Sequence, residues 1–438
     1  MSDPRNYRPV SVSLVNYWNT VSTHMRGHMD EHGVLTPANH GFRAQHSCET
    51  QLLLTTQDLL TKCDPVRAQV DCGVLDLSKA FDKVPHKRLM SKLRIMGIQG
   101  NIARWIEAFL SNRSQRVVVD GSTSGPAPVK SGVPQGTILG PLLFLCFIND
   151  MPAAVSPGTV VRLFADDCLV YRVIRTIRDQ LDFQSDLDAL AEWARLWGMQ
   201  FNTKKCNIIT FANRQTPLVK FYELNGIALK HVELATYLGI LLSKSLDFKH
   251  HIREAVSKAN SKLGFLKRNL KNCPAHMRNI AYLSFVRSGL EYCSTIWDPY
   301  DDVDIDAVEM VQHRAVRWIH GYGPRERCSV TKLRTQLKLD TLEHRREQAR
   351  LTLMFKVTKG LIAVTEDDLN LKLQDTRTRK KKLERSAKTF KSLPGRLDRR
   401  KFSTVNRTIA PWNKLPAAVA EMPDSVDTFK SRLSALRP

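Results

Sequence analysis

Little in this sequence points to a membrane protein or to a secreted, disulfide-stabilised protein. The nine cysteines include no C-x-x-C pair, so neither a disulfide framework nor a zinc knuckle is indicated. The longest apolar stretch, residues 138–148, is too short to span a bilayer and contains Gly140 and Pro141. The N-terminal residues, M-S-D-P-R-N-Y-R-P, lack the apolar core of a signal peptide. These features favour a reducing compartment, the nucleus or the cytoplasm, and no membrane partner.

Acidic residues are also few relative to basic ones. The chain has 66 Lys and Arg against 43 Asp and Glu, a formal charge of +23, which indicates a polyanionic partner. Residues 371–410 alone carry 14 basic and 3 acidic residues, a composition typical of a segment that orders only on nucleic acid. With 438 residues, the chain is long enough for two or three subdomains.

The hydrophobic pattern predicts an α+β arrangement in the N-terminal half and helices after it. Residues 70–77 are predicted to form a buried strand. Residues 160–164 and 168–173 are two apolar runs separated only by Ala-Asp-Asp, which is the spacing of a hairpin. Residues 181–197 repeat apolar positions at helical spacing, and residues 248–319 are almost wholly helical and rich in basic residues.

Three aspartates are the candidate metal ligands: Asp76 at the end of the first predicted strand, and Asp166 and Asp167 at the hairpin turn. If adjacent strands of one sheet bring them together, they can hold the two divalent cations, about 3.5 to 4 Å apart, that nucleotidyl transfer needs. Carboxylate oxygens are the ligands that Mg²⁺ prefers. Without cations, clustered carboxylates repel one another and raise at least one pKa. The cluster makes functional sense only with metal bound.

A purely structural interpretation exists for each part. Two aspartates at a turn are typical turn chemistry. The D-L-S-K-A-F-D run at residues 76–82 is compatible with a strand followed by a helix that Ser78 caps. The combination is harder to explain by structure alone, because S-G-V-P-Q-G-T lies between them at residues 131–137.

The sequence resembles the reverse transcriptases of non-LTR (LINE-type) retrotransposons, especially the jockey-like groups, over essentially its whole length. The motifs that carry the resemblance are N-Y-R-P-V-S at 6–11, H-G-F-R at 40–43, D-L-S-K-A-F-D-K-V-P-H at 76–86, S-G-V-P-Q-G-T-I-L-G-P at 131–141, F-A-D-D at 164–167, G-M-Q-F-N-T-K-K-C at 198–206, Y-L-G-I-L-L at 237–242, L-E-Y-C-S-T-I-W at 290–297, L-E-H-R-R at 342–346 and P-W-N-K-L-P at 411–416. Their number and order make the resemblance specific.

The resemblance implies a right-hand polymerase that extends a DNA primer on an RNA template with deoxynucleoside triphosphates. Fingers and a palm with an antiparallel sheet would occupy residues 1–245, and a helical thumb residues 246–325. A basic, helical, nucleic-acid-binding region would occupy residues 326–438. The expected cofactor is a pair of Mg²⁺ ions, with Mn²⁺ as a substitute.

The resemblance also implies roles for six further residues. Phe81 would lie under the incoming sugar and exclude a 2′-hydroxyl, although a core aromatic is the bland alternative. The expected nucleotide contacts come from Gln135 and Gly136, and the expected triphosphate clamp from Arg8 and Arg43. Lys205 would stand near the pyrophosphate and protonate it, and a solvated lysine is the alternative.

The chain departs from the family in two ways. It begins at the N-Y-R-P motif, so the endonuclease domain that relatives carry upstream is expected to be absent. Ala44-Gln45-His46 stand where relatives often have another basic residue, which is expected to reduce triphosphate affinity. Two alternatives stay open: a catalytically idle RNA-binding remnant of such an element, and an RNA-dependent RNA polymerase, against which Phe81 argues.

Overall fold

A computed structural model describes residues 15–214, 216–323, 326–374 and 388–436. The chain divides into two compact units, the first formed by residues 1–47 and 67–238 and the second by residues 48–66 and 239–438. The segment 48–66 therefore interrupts the first unit in sequence but belongs to the second. The predicted division near residues 245 and 325 into fingers and palm, thumb and tail stays a prediction.

Helices dominate the second unit, and strands are concentrated in the first. The α-helices of the described residues are α1 (Val15–Glu31), α2 (Cys48–Cys63), α3 (Ala80–Lys83), α4 (His86–Ile95), α5 (Gly100–Leu110), α6 (Leu139–Ile148), α7 (Ile177–Trp197), α8 (Lys249–Asn269), α9 (Ala275–Ala281), α10 (Ser288–Glu291), α11 (Ser294–Trp297), α12 (Asp302–Ile319), α13 (Val330–Gln336), α14 (Leu342–Thr358), α15 (Asp398–Lys401), α16 (Thr404–Lys414), α17 (Ala417–Ala420) and α18 (Val426–Ala435). A 3-10 helix covers Met151–Ala154, and a π-helical segment covers Tyr282–Arg287. The strands are β1 (Gln69–Asp76), β2 (Ser114–Gln115), β3 (Val118–Val119), β4 (Ser122–Thr123), β5 (Ala127–Pro128), β6 (Thr159–Phe164), β7 (Asp167–Val173), β8 (Asn207–Ala212), β9 (Glu223–Leu224), β10 (Ile227–Ala228), β11 (Lys230–His231), β12 (Leu234–Tyr237) and β13 (Ile240–Ser243). This mixture confirms the predicted α+β class.

The main sheet of the first unit has five strands in the order β11-β8-β1-β7-β6. Strand β1 lies in the middle and pairs antiparallel with both β7 and β8. Strand β6 pairs antiparallel with β7, and β11 adds a short parallel pair to β8. The predicted first strand and the predicted hairpin are both confirmed, with strand ends within one residue of the expected ones.

The sheet is covered by helices that the sequence encodes with clear end signals. Helix α7 begins at a capping box, in which Thr176 and Asp179 satisfy each other's backbone N–H groups, and ends at Gly198 in the left-handed conformation. Helix α6 is apolar on all sides, and nine of its ten residues are buried. The apolar stretch noted in the sequence is therefore a core helix. None of the helices among the described residues is long and apolar enough to cross a bilayer.

One buried carboxylate ties β1 to its surroundings. Asp71 is 1% exposed and accepts hydrogen bonds from the Tyr222 hydroxyl at 2.5 Å, Gln69 Nε2 at 2.9 Å and Thr210 Oγ1 at 2.9 Å. A buried carboxylate is tolerated when donors replace the lost water. The bonds from Thr210 and Tyr222 fix β1 against β8 and against the segment before β9, whereas Gln69 lies on β1 itself.

The second unit is organised around one buried carboxylate with three guanidinium groups. Asp298 accepts from Arg346 Nε at 2.6 Å and from Arg407 Nη1 at 3.1 Å, and it also pairs with Arg350. The side chains of Asp298, Arg346 and Arg350 are each less than 10% exposed. Asp298 directly follows the L-E-Y-C-S-T-I-W motif, and Arg346 ends the L-E-H-R-R motif, so this cluster joins the ends of the two motifs.

Helix α2 is bonded into the second unit from both of its ends. Near its start, Glu49 Oε1 accepts from Thr295 Oγ1 at 2.6 Å. Just after its end, Asp64 accepts the backbone N–H groups of Arg396 at 2.9 Å and Leu397 at 3.1 Å. Residues more than 330 positions apart in sequence are therefore direct partners.

We expect Asp298→Asn to destabilise the second unit by about 3 to 5 kcal/mol, because it leaves buried guanidinium charges without their counter-ion. The measurement is chemical denaturation followed by circular dichroism. Asp306→Asn is the matched control: Asp306 is exposed on α12, and the same change there should stay within about 0.5 kcal/mol. Equal stabilities of the two variants would contradict the assignment.

Candidate active site

The three candidate ligands lie at one edge of the main sheet. Asp76 is the last residue of β1 and lies directly opposite Asp167, the first residue of β7. Strand β6 ends at Phe164, which is itself opposite Asp167, so Ala165 and Asp166 form the two-residue hairpin turn. Ala165 has a φ of 54°, in the left-handed region that a tight hairpin turn requires. The predicted proximity of the three aspartates is thus present in the backbone register, but only Asp166 lies in the turn, because Asp167 already pairs as the first residue of β7.

A loop after α7 packs against the end of β1 and places Lys205. The Asn202 N–H donates to the Asp76 carbonyl at 2.7 Å, and the Asp76 N–H points to Cys206 Sγ at 3.4 Å. Lys205 Nζ, on the same loop, lies 3.7 Å from Asp76 Oδ2, with 69% of its side chain exposed. Lys205 is therefore a solvent-accessible cation next to one of the three carboxylates.

The three aspartates at the sheet edge bring negative charges close together, and this affects the pKa of Asp167. The pKa of Asp167 is raised to about 6. Loss of contact with water makes the largest contribution, and the charges of Asp166 and Asp76 add to it, while Lys205 opposes the increase. A divalent cation held between these groups would remove the repulsion.

The donor chemistry suits a hard divalent cation, because all three side chains offer carboxylate oxygens. Across the described ranges of the chain, however, no three side chains of the Asp, Glu, His or Cys type form a ready-made ligand shell. The backbone register brings the aspartates together, and their side chains would have to rotate toward a shared ion for it to be bound.

The D-L-S-K-A-F-D and S-G-V-P-Q-G-T motifs are joined by a set of hydrogen bonds. Gln135 Nε2 donates to Asp82 Oδ1 at 2.7 Å, Ser131 Oγ donates to the Asp82 carbonyl at 2.9 Å, and the Val133 N–H donates to the Phe81 carbonyl at 2.8 Å. Gly132 has a φ of 96°, and a Cβ there would lie 2.8 Å from the Asp82 carbonyl oxygen. Only glycine fits this approach.

Phe81 has one face in the core. Its ring stacks on Phe144, with centroids 4.3 Å apart and an angle of 17° between the planes. The ring of Phe42 is nearly perpendicular to it, and the two centroids are 6.2 Å apart. The residue is half-buried, so part of the ring is accessible. This position fits both a core aromatic and a platform for a sugar.

Of the other residues expected to contact the nucleotide, some are accessible in the structure and others are already hydrogen-bonded within the protein. Gly136 is exposed and has a φ of 84°, so its backbone is open to a ligand. Gln135 is half-buried and engaged by Asp82, as described above. Arg43 is half-buried, and its Nη1 donates to the Thr36 carbonyl at 2.7 Å, so it braces its own loop. Arg8 lies outside the described residues.

The helix that follows β1 is not capped by Ser78, contrary to the purely structural interpretation of the D-L-S-K-A-F-D run. Lys79, with a φ of 51°, precedes α3, and no side chain caps this helix. Ser78 instead donates its backbone N–H to the Gln200 carbonyl at 2.8 Å. The segment after β1 is therefore held by the loop that carries Lys205.

Sequence reasoning missed two residues at this edge. Asp82, the second aspartate of the D-L-S-K-A-F-D motif, was given no role, although it anchors the loop of the next motif through Gln135. Asn39 was also overlooked, although its buried side chain reaches the N–H group of Ala165 in the hairpin turn. The only signal for Asn39 is an asparagine two residues before a glycine, which is ordinary turn composition.

Comparison with known proteins identifies the family of this chain. The family model described as "Reverse transcriptase (RNA-dependent DNA polymerase)" matches residues 2–249, more than half of the chain. The RNA-directed DNA polymerase from mobile element jockey of Drosophila melanogaster is 34% identical over 48% of this chain and 24% of its own length. The polymerase from mobile element jockey of Drosophila funebris is 31% identical, over 64% of this chain and 31% of its own.

A further relative and two solved structures give the range of the similarity. The probable polymerase from transposon X-element of Drosophila melanogaster is 27% identical over 73% of this chain and 36% of its own length. Telomerase structures from Candida tropicalis and Candida albicans superpose with TM-scores of 0.42 and 0.39 at 12% and 11% identity. They cover 79% and 70% of this chain, and 55% and 57% of theirs, a likeness too low to carry an argument.

The chain thus spans between a quarter and about a third of the length of these three curated relatives. The resemblance inferred from the sequence motifs is confirmed, and the aspartates of the sheet edge lie within the matched region. The chain belongs to the reverse transcriptase family, the RNA-dependent DNA polymerases.

Proposed function

We propose that this chain is the RNA-directed DNA polymerase of a jockey-like non-LTR retrotransposon and that it extends a DNA primer along an RNA template. The observation that carries the proposal is the register of β1 against β7, which puts Asp76 opposite Asp167 and beside the turn that holds Asp166. Three carboxylates at one sheet edge are what two-metal nucleotidyl transfer requires. The deoxynucleoside triphosphate, the primer and the RNA template are the proposed partners.

In the proposed reaction, the primer 3′-oxygen forms a bond to the α-phosphorus as the bond to the pyrophosphate oxygen breaks. Reverse transcriptases use divalent metal ions, and we propose Mg²⁺, with Mn²⁺ as a substitute. Bound at the aspartates, the cations would supply activation of the hydroxyl and neutralisation of the pyrophosphate charge. Asp76, Asp166 and Asp167 would hold them.

The remaining residues would handle the nucleotide and the leaving group. Lys205 is exposed and 3.7 Å from Asp76, so its ammonium group is available to protonate the departing pyrophosphate. Gly136 leaves the backbone open for the nucleotide, and Gln135, braced by Asp82, fixes the loop beside it. Arg43 would have to leave the Thr36 carbonyl to clamp a triphosphate, so its role there is the weakest. The role of Arg8 rests on the motif resemblance.

A catalytically idle RNA-binding remnant is the rival interpretation, and it is not favoured. A chain that had lost catalysis would be free to lose its metal ligands, and all three aspartates are present, with Asp76 opposite Asp167 in the strand register. Phe81 separates the proposal from an RNA-dependent RNA polymerase, because its partly exposed ring offers a steric gate against a 2′-hydroxyl.

We propose that the protein acts in the nucleus or the cytoplasm. All nine cysteines are free thiols, and six of them are buried, an arrangement typical of proteins from reducing compartments.

Asp76→Ala and Asp166→Ala should each lower primer extension on an RNA template by about 10³-fold or more, because a lost metal ligand costs several kcal/mol at the transition state. RNA binding and the circular dichroism spectrum should be unchanged. Asp188→Ala, at an exposed position of α7, is the control and should extend like the wild type. Near-normal extension by either site variant would refute the proposed function.

Phe81→Ala should increase incorporation of GTP relative to dGTP by roughly 10- to 100-fold, the scale of discrimination by a steric pocket. Competition between the two nucleotides in primer extension measures this ratio. Phe42→Ala removes the aromatic edge that contacts Phe81 and should leave the ratio unchanged. A constant ratio in Phe81→Ala would identify Phe81 as a core residue that only supports Phe144.

The basic C-terminal segment is the proposed holder of the nucleic-acid backbone, but its described part is also structural. Phe390 and Trp412 are buried, and Arg399 and Arg407 donate to backbone carbonyls of the second unit. Deleting the whole tail would therefore remove part of a core. The basic run at residues 377–385, which lies outside the described residues, is the better target.

Replacing the six basic residues of that run with Gln should weaken RNA binding and lower its salt dependence. The substituted residues are Arg377, Arg379, Lys380, Lys381, Lys382 and Arg385. Each lost phosphate contact should reduce the slope of log K against log salt by about 0.7, since Lys and Arg release counterions on binding. Exchanging Arg for Lys and Lys for Arg at the same positions keeps the charge and should keep the slope. An unchanged slope in the Gln variant would mean that the run only solubilises the chain.

A further inference from the structure

The segment before the H-G-F-R motif forms an extra strand-like contact on the outer edge of β6. Asn39 pairs in parallel with Leu163. The Leu163 N–H donates to the Ala38 carbonyl at 2.8 Å, and the His40 N–H donates to the Leu163 carbonyl at 3.0 Å. This segment therefore lies alongside the strand that leads into the Asp166 turn.

The Asn39 side chain extends from this segment into the turn itself. It is 3% exposed, and its Oδ1 accepts from two backbone N–H groups, Gly41 at 3.0 Å and Ala165 at 3.2 Å. Its Nδ2 is buried and has no hydrogen-bond partner in the described part of the chain. The orientation of the Asn39 amide thus satisfies the two N–H groups that its oxygen accepts. It leaves the buried Nδ2 donor without a partner, which costs folding free energy.

The backbone of the segment also comes unusually close to the same turn. A Cβ on Gly41 would lie 2.5 Å from the Ala165 nitrogen and 3.1 Å from the Phe164 carbonyl carbon. Ala165 is a non-glycine residue at φ 54°, a strained conformation that persists where its surroundings hold it. Asn39 and Gly41 both lie against this residue from outside the hairpin.

We propose that Asn39 is a positioning residue for the divalent-cation site. It accepts the N–H of the strained residue that precedes Asp166, and so it sets the direction in which the Asp166 carboxylate leaves the turn. This inference rests on the proposed function only in that the aspartates bind divalent cations. Asn39 itself touches neither cation nor nucleotide.

The test measures Mn²⁺ binding directly, by the electron paramagnetic resonance signal of free Mn²⁺ in titrations of the full chain. Asp166→Ala is compared with the wild type first. A loss of affinity in that variant establishes the site, whereas equal affinity would refute the proposed function and leave nothing for Asn39 to position. Asn39→Ala should then raise the Mn²⁺ dissociation constant by about tenfold and lower kcat, with the KM for nucleotide nearly unchanged.

Asn149→Ala is the matched control. Asn149 Oδ1 accepts from the Thr36 N–H at 2.7 Å, and its Nδ2 donates to the Val34 carbonyl at 2.8 Å. It therefore holds an earlier part of the same segment through two side-chain-to-backbone hydrogen bonds, one accepted and one donated, without contacting the turn. Its loss should leave Mn²⁺ affinity within twofold of the wild type at a similar loss of thermal stability.

Gly41→Ala is the second variant, because it pushes on Ala165 while leaving the Asn39 side chain intact. It should also weaken Mn²⁺ binding, whereas Gly27→Ala, where a Cβ meets no atom within 4 Å, should not. Mn²⁺ affinity in folded Asn39→Ala equal to that in Asn149→Ala would overturn the inference. Failure of Asn39→Ala to fold, where Asn149→Ala folds, would also overturn it, since Asn39 would then serve the fold and not the site.

Discussion

Strand β1 has a hydrogen-bonded neighbour on each side, and this double pairing fixes which residues meet at the end of the sheet. Slipping β1 by one residue would turn every side chain to the opposite face and separate Asp76 from Asp167. The buried Asp71 carboxylate, which accepts from Thr210 of β8 and from Tyr222 before β9, makes such a slip costly. The first motif continues from β1 into α3, so the loop with Gly132 and Gln135 depends on the same register.

Much of this arrangement could be predicted from the sequence, because it is encoded locally. The apolar runs indicated the hairpin, and the three residues between them placed Asp166 in its turn. The order of motifs gave the α+β class and, with the family now shown, the right-hand polymerase class. A local sequence pattern does not indicate which residue each polar group will bond to in the folded chain. Nothing near Gln135 in sequence indicates that it bonds to Asp82, and nothing near Asn39 indicates that it reaches Ala165.

The second unit shows the same limit more strongly. The motifs around residues 290–297 and 342–346 were recognisable, but their purpose depends on charges that meet only in the folded chain. Asp298, Arg346 and Arg407 come from three distant segments and form ion pairs in one buried cluster. An arginine in a basic tail looks like a nucleic-acid contact from the sequence, whereas the structure gives Arg407 a carboxylate and two backbone carbonyls. Counting basic residues therefore overstates how many are available to RNA.

The contacts of helix α2 affect how the chain folds during translation. It is synthesised early, yet Asp64 at its end bonds to the N–H groups of residues 396 and 397. At 5 to 20 residues per second, a ribosome needs roughly 20 to 60 s to produce that partner, and during this time the apolar side chains of α2 lack their final cover. A nascent chain of this kind leaves an apolar helix exposed after the main sheet has been synthesised, so chaperone demand during translation should centre on residues 48–66. For the same reason, expressing residues 2–249 alone would leave this helix without part of its partner unit, and insolubility of such a fragment would reflect chain connectivity and not a defect in the sheet.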